Sequence, residues 1–177
     1  MKGVIMACLA QLVNEKFGEE SAEAVMRKSG FDAHKKFMAT EDVPEDMAIG
    51  MLETTCEVLD ISLEQAADAF GEYWVSEYAP KIYGIYYKNV DNAKDFLLKM
   101  DDVHVKSTRN IENARPPRFA YAWQDDRTLI MTYKSPRGLI DICVGLIKGV
   151  GKYFGEELEV SKLSDEDIKV VFKEIPA

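Results

Sequence analysis

Histidine and cysteine are scarce in this chain of 177 residues, which holds two of the first and three of the second. Cys8, Cys56 and Cys143 stand far apart, each inside an apolar stretch and none in a C-x-x-C pair. That spacing excludes a disulfide framework and a cysteine metal site, and leaves them as small core side chains. No apolar run approaches the ~18 residues of a membrane span. Met1-Lys2-Gly3 leads into an amphipathic segment rather than a signal peptide. Positive charge is also in short supply: 22 Lys and Arg against 31 Asp and Glu leave a net charge of −9. The basic residues are scattered, so neither nucleic acid nor an anionic membrane is the expected partner. One cytoplasmic domain spanning residues 1–177, with an ordinary globular core, is the expectation.

The punctuation of the chain then separates helices from strands. Ile5, Leu9, Leu12, Val13 and Phe17 recur at helical spacing over residues 3–17, and Gly18 stops them. A short helix is expected over 19–28, closed by Ser29-Gly30. Pro44, with acids beside it, opens another that runs to about Leu59. Ser62 and Gln65 form a capping box for a helix carrying Phe70, Trp74 and Tyr78, which Pro80 should end. The tyrosine-rich stretch 81–90 reads as a connector. A long helix is expected over 91–110, with Phe96, Leu97, Met100, Val103 and His104 on one stripe, broken by Pro116-Pro117. After that the period changes. "RFAYAWQ" and "RTLIMTYKS" read as strands joined at Asp125-Asp126, residues 139–154 as an apolar helix, and 157–163 and 168–175 as two further strands. Helices first and strands later, without βαβ alternation, give an α+β fold: an N-terminal helical half packed on a small antiparallel sheet of about four strands.

Two features carry chemistry. His34 sits among charged residues and reads as a surface side chain. His104 lies on an apolar stripe, where an imidazole is either a core residue bonded to a backbone carbonyl or a single ligand to a metal facing an apolar cavity. In "TYKSPRGL", Tyr133, Ser135 and Arg137 occupy alternate positions. On a strand these would share one face, offering two hydroxyls and a guanidinium to an anion. Haem satisfies both features, because its iron needs an axial imidazole and its two propionates need such donors.

On "MKGVI", "FLLKMDDVHVKST", "RPPRF", "TLIMTYKSPRGL" and "GLIKGVGKYF", the sequence resembles the haem-nitric oxide/oxygen binding (H-NOX) family, bacterial relatives of the haem domain of soluble guanylate cyclase. The resemblance covers nearly the whole chain. It implies haem b (iron protoporphyrin IX) buried between the helical half and the sheet, His104 as proximal iron ligand, and Tyr133, Ser135 and Arg137 as the propionate clamp. Pro117 matches the proline that presses on the macrocycle. Met100, Ile5, Leu9, Trp74 and Leu146 are expected around the ring. Family members that bind oxygen stably carry a distal tyrosine where this chain has Ile142. A missing donor of that kind removes about 1–3 kcal/mol from a polar oxygen complex, so the resemblance implies a nitric oxide sensor rather than an oxygen binder. Carbon monoxide is a further expected ligand. Tyr73, Tyr78, Tyr83 or the indole of Trp74 are the alternative sources of a distal donor, and with one of them the domain would be an oxygen sensor. A haem enzyme such as a peroxidase is disfavoured by the apolar distal residues, so the expected protein is not an enzyme. It is expected to signal by releasing the helix of His104, acting on a histidine kinase, diguanylate cyclase or chemotaxis receptor in trans or by fusion.

Overall fold

Glycine at position 3 has a steric reason that emerges as soon as the chain folds back on its own start. A Cβ there would lie 2.2 Å from the carbonyl oxygen of Met38. Gly3 N–H donates to Glu41 O at 2.9 Å and Val43 N–H to Met1 O at 2.8 Å, forming a short antiparallel bridge between Lys2 and Asp42. The computed structural model describes residues 1–173, and it divides the chain into two compact units.

The first unit comprises residues 1–66 and 111–115. Its helices are α1 (Gly3–Phe17), α2 (Glu19–Lys28) and α3 (Glu45–Leu59). Gly18, at φ 87°, ends α1 where expected and turns the chain into α2. Pro44 stands at the start of α3 with Glu45 and Asp46 in its first turn, where negative charge suits the helix dipole. Leu9, Leu12, Val13, Val25, Met26 and Met51 are buried. The segment 111–115 is tied in by Lys2, whose Nζ reaches Glu112 O at 2.5 Å, and by Asn113, which donates to Asp42 at 3.3 Å.

The second unit comprises residues 67–110 and 116 onward. Its antiparallel sheet has the order β1-β2-β4-β3, from β1 (Arg118–Trp123), β2 (Thr128–Lys134), β3 (Leu158–Lys162) and β4 (Asp167–Phe172). The turn between β1 and β2 is held by Asp125, whose carboxylate accepts from the N–H groups of Arg127 and Thr128, each at 2.8 Å. Residues 174 and 175 of the fourth expected strand lie outside the described residues. Helix α8 (Ile140–Phe154) joins the sheet's buried face, where Leu129, Met131, Ile147, Ile168, Val170 and Phe172 form the core. The fold is α+β, as the element order implied.

Helix α4 (Leu63–Tyr73) opens with the expected capping box: Ser62 N–H donates to Gln65 Oε1 at 2.9 Å, and Gln65 N–H to Ser62 Oγ at 3.1 Å. Further along, α4 meets α8 backbone to backbone. A Cβ on Gly71 would lie 2.1 Å from Gly145 O, and one on Gly145 2.1 Å from Ala67 O. Lys148–Asp68 at 2.9 Å and Lys152–Glu72 fasten the same pair of helices.

Two expectations about helices need correction. Pro80 does not end the helix. The chain passes through a π-helical turn, Trp74–Tyr78, into α5 (Ala79–Tyr83), where Pro80 falls in the first turn and its missing N–H is no loss. A short 3-10 turn, Gly84–Tyr86, follows, and Tyr87 then reaches back to donate to Val75 O at 3.1 Å. The expected long helix over 91–110 is two helices, α6 (Ala93–Leu98) and α7 (Met100–Thr108), separated at Lys99. Asn92 caps α6 by accepting from Asp95 N–H at 2.7 Å.

Cys8 and Cys143 are buried core side chains as read from the sequence, whereas Cys56 is only half-buried. All are free thiols, and burial pushes that of Cys143 up to about 12 and that of Cys8 higher still. No helix among the described residues is long and apolar enough to cross a membrane.

Candidate functional site

His104 stands on α7, one turn along from Met100 at the helix start. Its ring stacks on Phe119 of β1, with centroids 5.5 Å apart and planes at 26°. Its Nδ1 is buried and has no hydrogen-bond partner. Burial pulls the imidazole down to about 4, a fall that the nearby carboxylate of Asp101 only partly opposes. At neutral pH the ring is therefore uncharged, the form that ligates a metal. The sequence left two readings for this histidine, and the absence of a carbonyl partner at Nδ1 weighs against a satisfied core imidazole.

Asp101 holds this part of α7 to the sheet. Its two carboxylate oxygens accept from Arg118 Nε at 2.8 Å and from the terminal guanidinium nitrogen at 2.7 Å, and Oδ1 also accepts from Phe119 N–H at 2.8 Å. The Arg118 hydrogen bonds lower its carboxyl to about 2. Tyr121, two residues along β1, donates from its hydroxyl to Leu97 O at 2.9 Å and accepts from Asp101 N–H at 3.2 Å.

Phe119 continues across the sheet to Tyr133, its register partner on β2, at a ring distance of 6.0 Å. Tyr133 is buried. Its hydroxyl shares a hydrogen bond with the Ser135 hydroxyl and accepts from the backbone N–H of Leu139, and the charge of Arg137 lies close enough to favour the phenolate form. Desolvation outweighs these and raises the phenol, so it remains a donor. The three residues of the motif do converge, but not by strand alternation. β2 ends at Lys134, and Ser135 and Arg137 lie in the turn that follows, where Arg137 N–H donates to Ser135 Oγ at 3.4 Å and Gly138 takes φ 63°.

The remaining candidates fall as follows. Pro117 is half-buried immediately before β1, and Met100 and Leu146 are half-buried against the core of the second unit. Ile142 is half-buried on α8. Trp74 lies in the π-helical turn, stacked between Phe70 at 5.9 Å and Tyr78 at 5.7 Å, with Tyr83 at 6.3 Å. Tyr73 is buried, and burial raises the phenol of Tyr83. Ile5 and Leu9 belong to α1 of the first unit, half-buried and buried respectively. His34 is exposed, as expected. Sequence reasoning did not single out Asp101, Arg118, Phe119 or Tyr121. The alternation of Phe119 and Tyr121 along "RFAY" was the available signal, since it puts two aromatics on one face of β1.

Among the described residues no three His, Cys, Asp or Glu side chains gather around a common point. What the second unit offers instead is one neutral imidazole with a buried, unpartnered nitrogen and a separate set of donors for anions. That donor set fits haem, which brings four iron ligands of its own and leaves the protein one axial position to fill.

The haem-NO-binding family profile matches residues 2–162. Two soluble guanylate cyclases of Caenorhabditis elegans, gcy-32 and gcy-34, are 26% and 27% identical over 157 residues, 86% of this chain but 23% of theirs. The chain thus spans about a quarter of the curated relatives it matches. Among solved structures, an oxygen-binding H-NOX domain related to soluble guanylate cyclases, in its oxygen complex, superposes with a TM-score of 0.83. It is 22% identical, and the match covers 98% of this chain and 96% of that one. Another H-NOX structure, from work on the mechanism of H-NOX activation, gives a TM-score of 0.84 at 21% identity, covering 98% of this chain and 97% of the other. The family match over residues 2–162 places this chain in the haem-NO-binding (H-NOX) family, a family of haem-based gas sensors.

Proposed function

We propose that this chain is a ferrous haem b sensor that takes nitric oxide in preference to oxygen and passes the event to a partner protein or domain. The observation that carries the reading is the buried Nδ1 of His104, left without a hydrogen bond in a neutral ring. Haem, when bound, would supply an iron able to take a diatomic gas, and His104 would be the residue whose bond to it responds.

The chain's own residues account for the rest. His104 would hold the iron, kept uncharged by its burial. Tyr133, Ser135 and Arg137 bind the propionates. The hydroxyls donate and the guanidinium contributes the one permanent charge, which suits a carboxylate better than an ammonium would. Pro117 just before β1, Met100 at the start of α7, Trp74 and Leu146 contribute apolar surface to the ring. Ile142 has no hydrogen to donate, which withholds from oxygen the stabilisation worth about 1–3 kcal/mol that its polar complex needs. Asp101 and Tyr121 couple α7 to β1, so a change in the pull on His104 is felt by the sheet instead of being absorbed in a loop.

A second reading, an oxygen sensor, is favoured by one observation: the rings of Tyr78 and Tyr83 lie 5.7 and 6.3 Å from that of Trp74, which groups polar-tipped aromatics at one place. In either case the domain senses rather than catalyses. Its output runs to a histidine kinase, diguanylate cyclase or chemotaxis receptor in the cytoplasm, in trans or by fusion.

The test of the axial ligand is His104→Gly. This variant should lose the haem spectrum and regain it with added imidazole. Retention of an unchanged five-coordinate spectrum without imidazole would overturn the assignment.

A further inference from the structure

The break between α6 and α7 has an identifiable cause. In a continuous helix Asp101 N–H would donate to Leu97 O, its partner four residues earlier. Here a foreign hydroxyl occupies that rung. Tyr121 Oη accepts from Asp101 N–H at 3.2 Å and donates to Leu97 O at 2.9 Å, so both backbone groups are satisfied although they do not meet. Insertion of a side chain into the helical ladder is one of the few established causes of a sharp helix break. No glycine or proline is present between Ala93 and Thr108 to supply another. At the break, Lys99 N–H bonds back to Phe96 O at 3.2 Å, a tightened three-residue turn, before α7 resumes with Val103 N–H to Lys99 O at 2.9 Å.

Only a group that accepts and donates at one atom can stand in for a rung. A hydroxyl does so, and a phenylalanine ring of the same size does not. Burial raises the Tyr121 phenol to about 12, so it keeps its proton throughout the neutral range. Asp101, the residue that loses its helical partner, also carries the bidentate grip on Arg118, and His104 follows within one turn.

We propose that Tyr121 is a positioning residue for His104: its hydroxyl, inserted as a wedge between Leu97 and Asp101, sets the direction in which α7 leaves α6 and so where the imidazole stands. The consequence for a bound metal rests on His104 being the iron ligand; the wedge itself does not. Removing the hydroxyl leaves Leu97 O and Asp101 N–H free to bond each other, which straightens the helix and draws His104 away from its place.

The experiment is Tyr121→Phe, studied in two forms. In the haem-free protein, the backbone amide resonances of residues 98–104 and the ring resonances of His104 should shift, with the rest of the sheet unchanged and a cooperative melt retained. In the haem-loaded protein, the iron–histidine stretching band should fall in frequency, and displacement of His104 under saturating nitric oxide should accelerate about fivefold, the factor carried by one ordinary hydrogen bond. Unmoved His104 ring resonances would overturn the wedge whether or not haem binds. Shifted backbone resonances with an unmoved stretching band would show a structural hydroxyl only and overturn its positioning role. A wild-type protein that takes no haem would refute the proposed function, and the His104 ring resonances would still decide the wedge.

Discussion

The ring of His104 lies over the ring of Phe119 at 5.5 Å and 26°, while the backbone N–H of the same phenylalanine donates to Asp101 three residues before the histidine. One residue of β1 thus contacts α7 twice, through its ring and through its main chain, and its ring continues the line to Tyr133 at 6.0 Å. His104 and Tyr133, the proposed iron ligand and a member of the proposed propionate clamp, are therefore joined through Phe119 in one row of packed side chains.

Phe119→Leu should loosen this row without opening a large cavity. The two lost ring contacts are worth about 0.5–1.5 kcal/mol each, so the unfolding free energy of the haem-free protein, from urea melts, should fall by about 1–3 kcal/mol. The iron–histidine band of the loaded protein should broaden, because the imidazole has lost the surface that orients it. A sharp, unshifted band would mean that the stacking does not orient the ring.

The Asp101–Arg118 pair predicts a pH dependence. The folded carboxyl is held near 2, below its unfolded value of 3.8, so its contribution is present above about pH 4 and is lost as pH falls toward 2. Arg118 is largely exposed, and solvent screening reduces the contribution to about 1 kcal/mol. Asp101→Asn should lower stability at pH 7 by that amount and flatten its dependence between pH 4 and 2. Denaturant melts of both proteins across that range make the comparison.

Gly71→Ala and Gly145→Ala each add a carbon where the facing backbone stands 2.1 Å away. Neither carbonyl can retreat without moving its helix. Each substitution should cost about 1–3 kcal/mol, the usual range for overpacking. Gly50→Ala is the control: it meets nothing within 4 Å and should leave the melt unchanged or raise it slightly.

Arg137→Ala removes the charged member of the proposed clamp. Hydrogen bonds to charged groups contribute about 1.5–3 kcal/mol, so haem should transfer to a competing apoprotein about 10- to 100-fold more readily. Haem retention equal to wild type would remove Arg137 from the clamp.

Ile142→Tyr supplies a hydroxyl on α8 at the position where the proposed selectivity depends on having none. The variant should gain a stable complex in air, with oxygen affinity rising about 5- to 150-fold, the equivalent of about 1–3 kcal/mol. No gain would place the distal side elsewhere.

What could be read from the sequence was mostly local. The capping box of Ser62 and Gln65 lies within four residues, and the stop at Gly18 depends on one backbone angle. Tyr133, Ser135 and Arg137 were seen to belong together, although a turn rather than a strand gathers them. Features set by distant residues were hidden. The break at Lys99 is made by Tyr121, 24 residues from the carbonyl it bonds, and nothing in "FLLKMDDVH" announces it. Pro80 misled because a π-helical turn before it shifts the proline to a helix start, where it costs nothing. Asp101 reads as an ordinary first-turn acid until Arg118 and Phe119 are brought to it across the sheet edge.

His104 is proposed to hold a ferrous haem that takes nitric oxide and declines oxygen. The decisive test is a set of absorption spectra of the reduced, haem-reconstituted protein under nitrogen, then air, then nitric oxide. A five-coordinate ferrous spectrum is expected under nitrogen, with no stable oxygen complex in air and a clear shift with nitric oxide. A stable oxygen complex in air would contradict the selectivity and point to Trp74, Tyr78 or Tyr83 as a distal donor. A protein that takes up no haem would contradict the assignments of His104 and the clamp together.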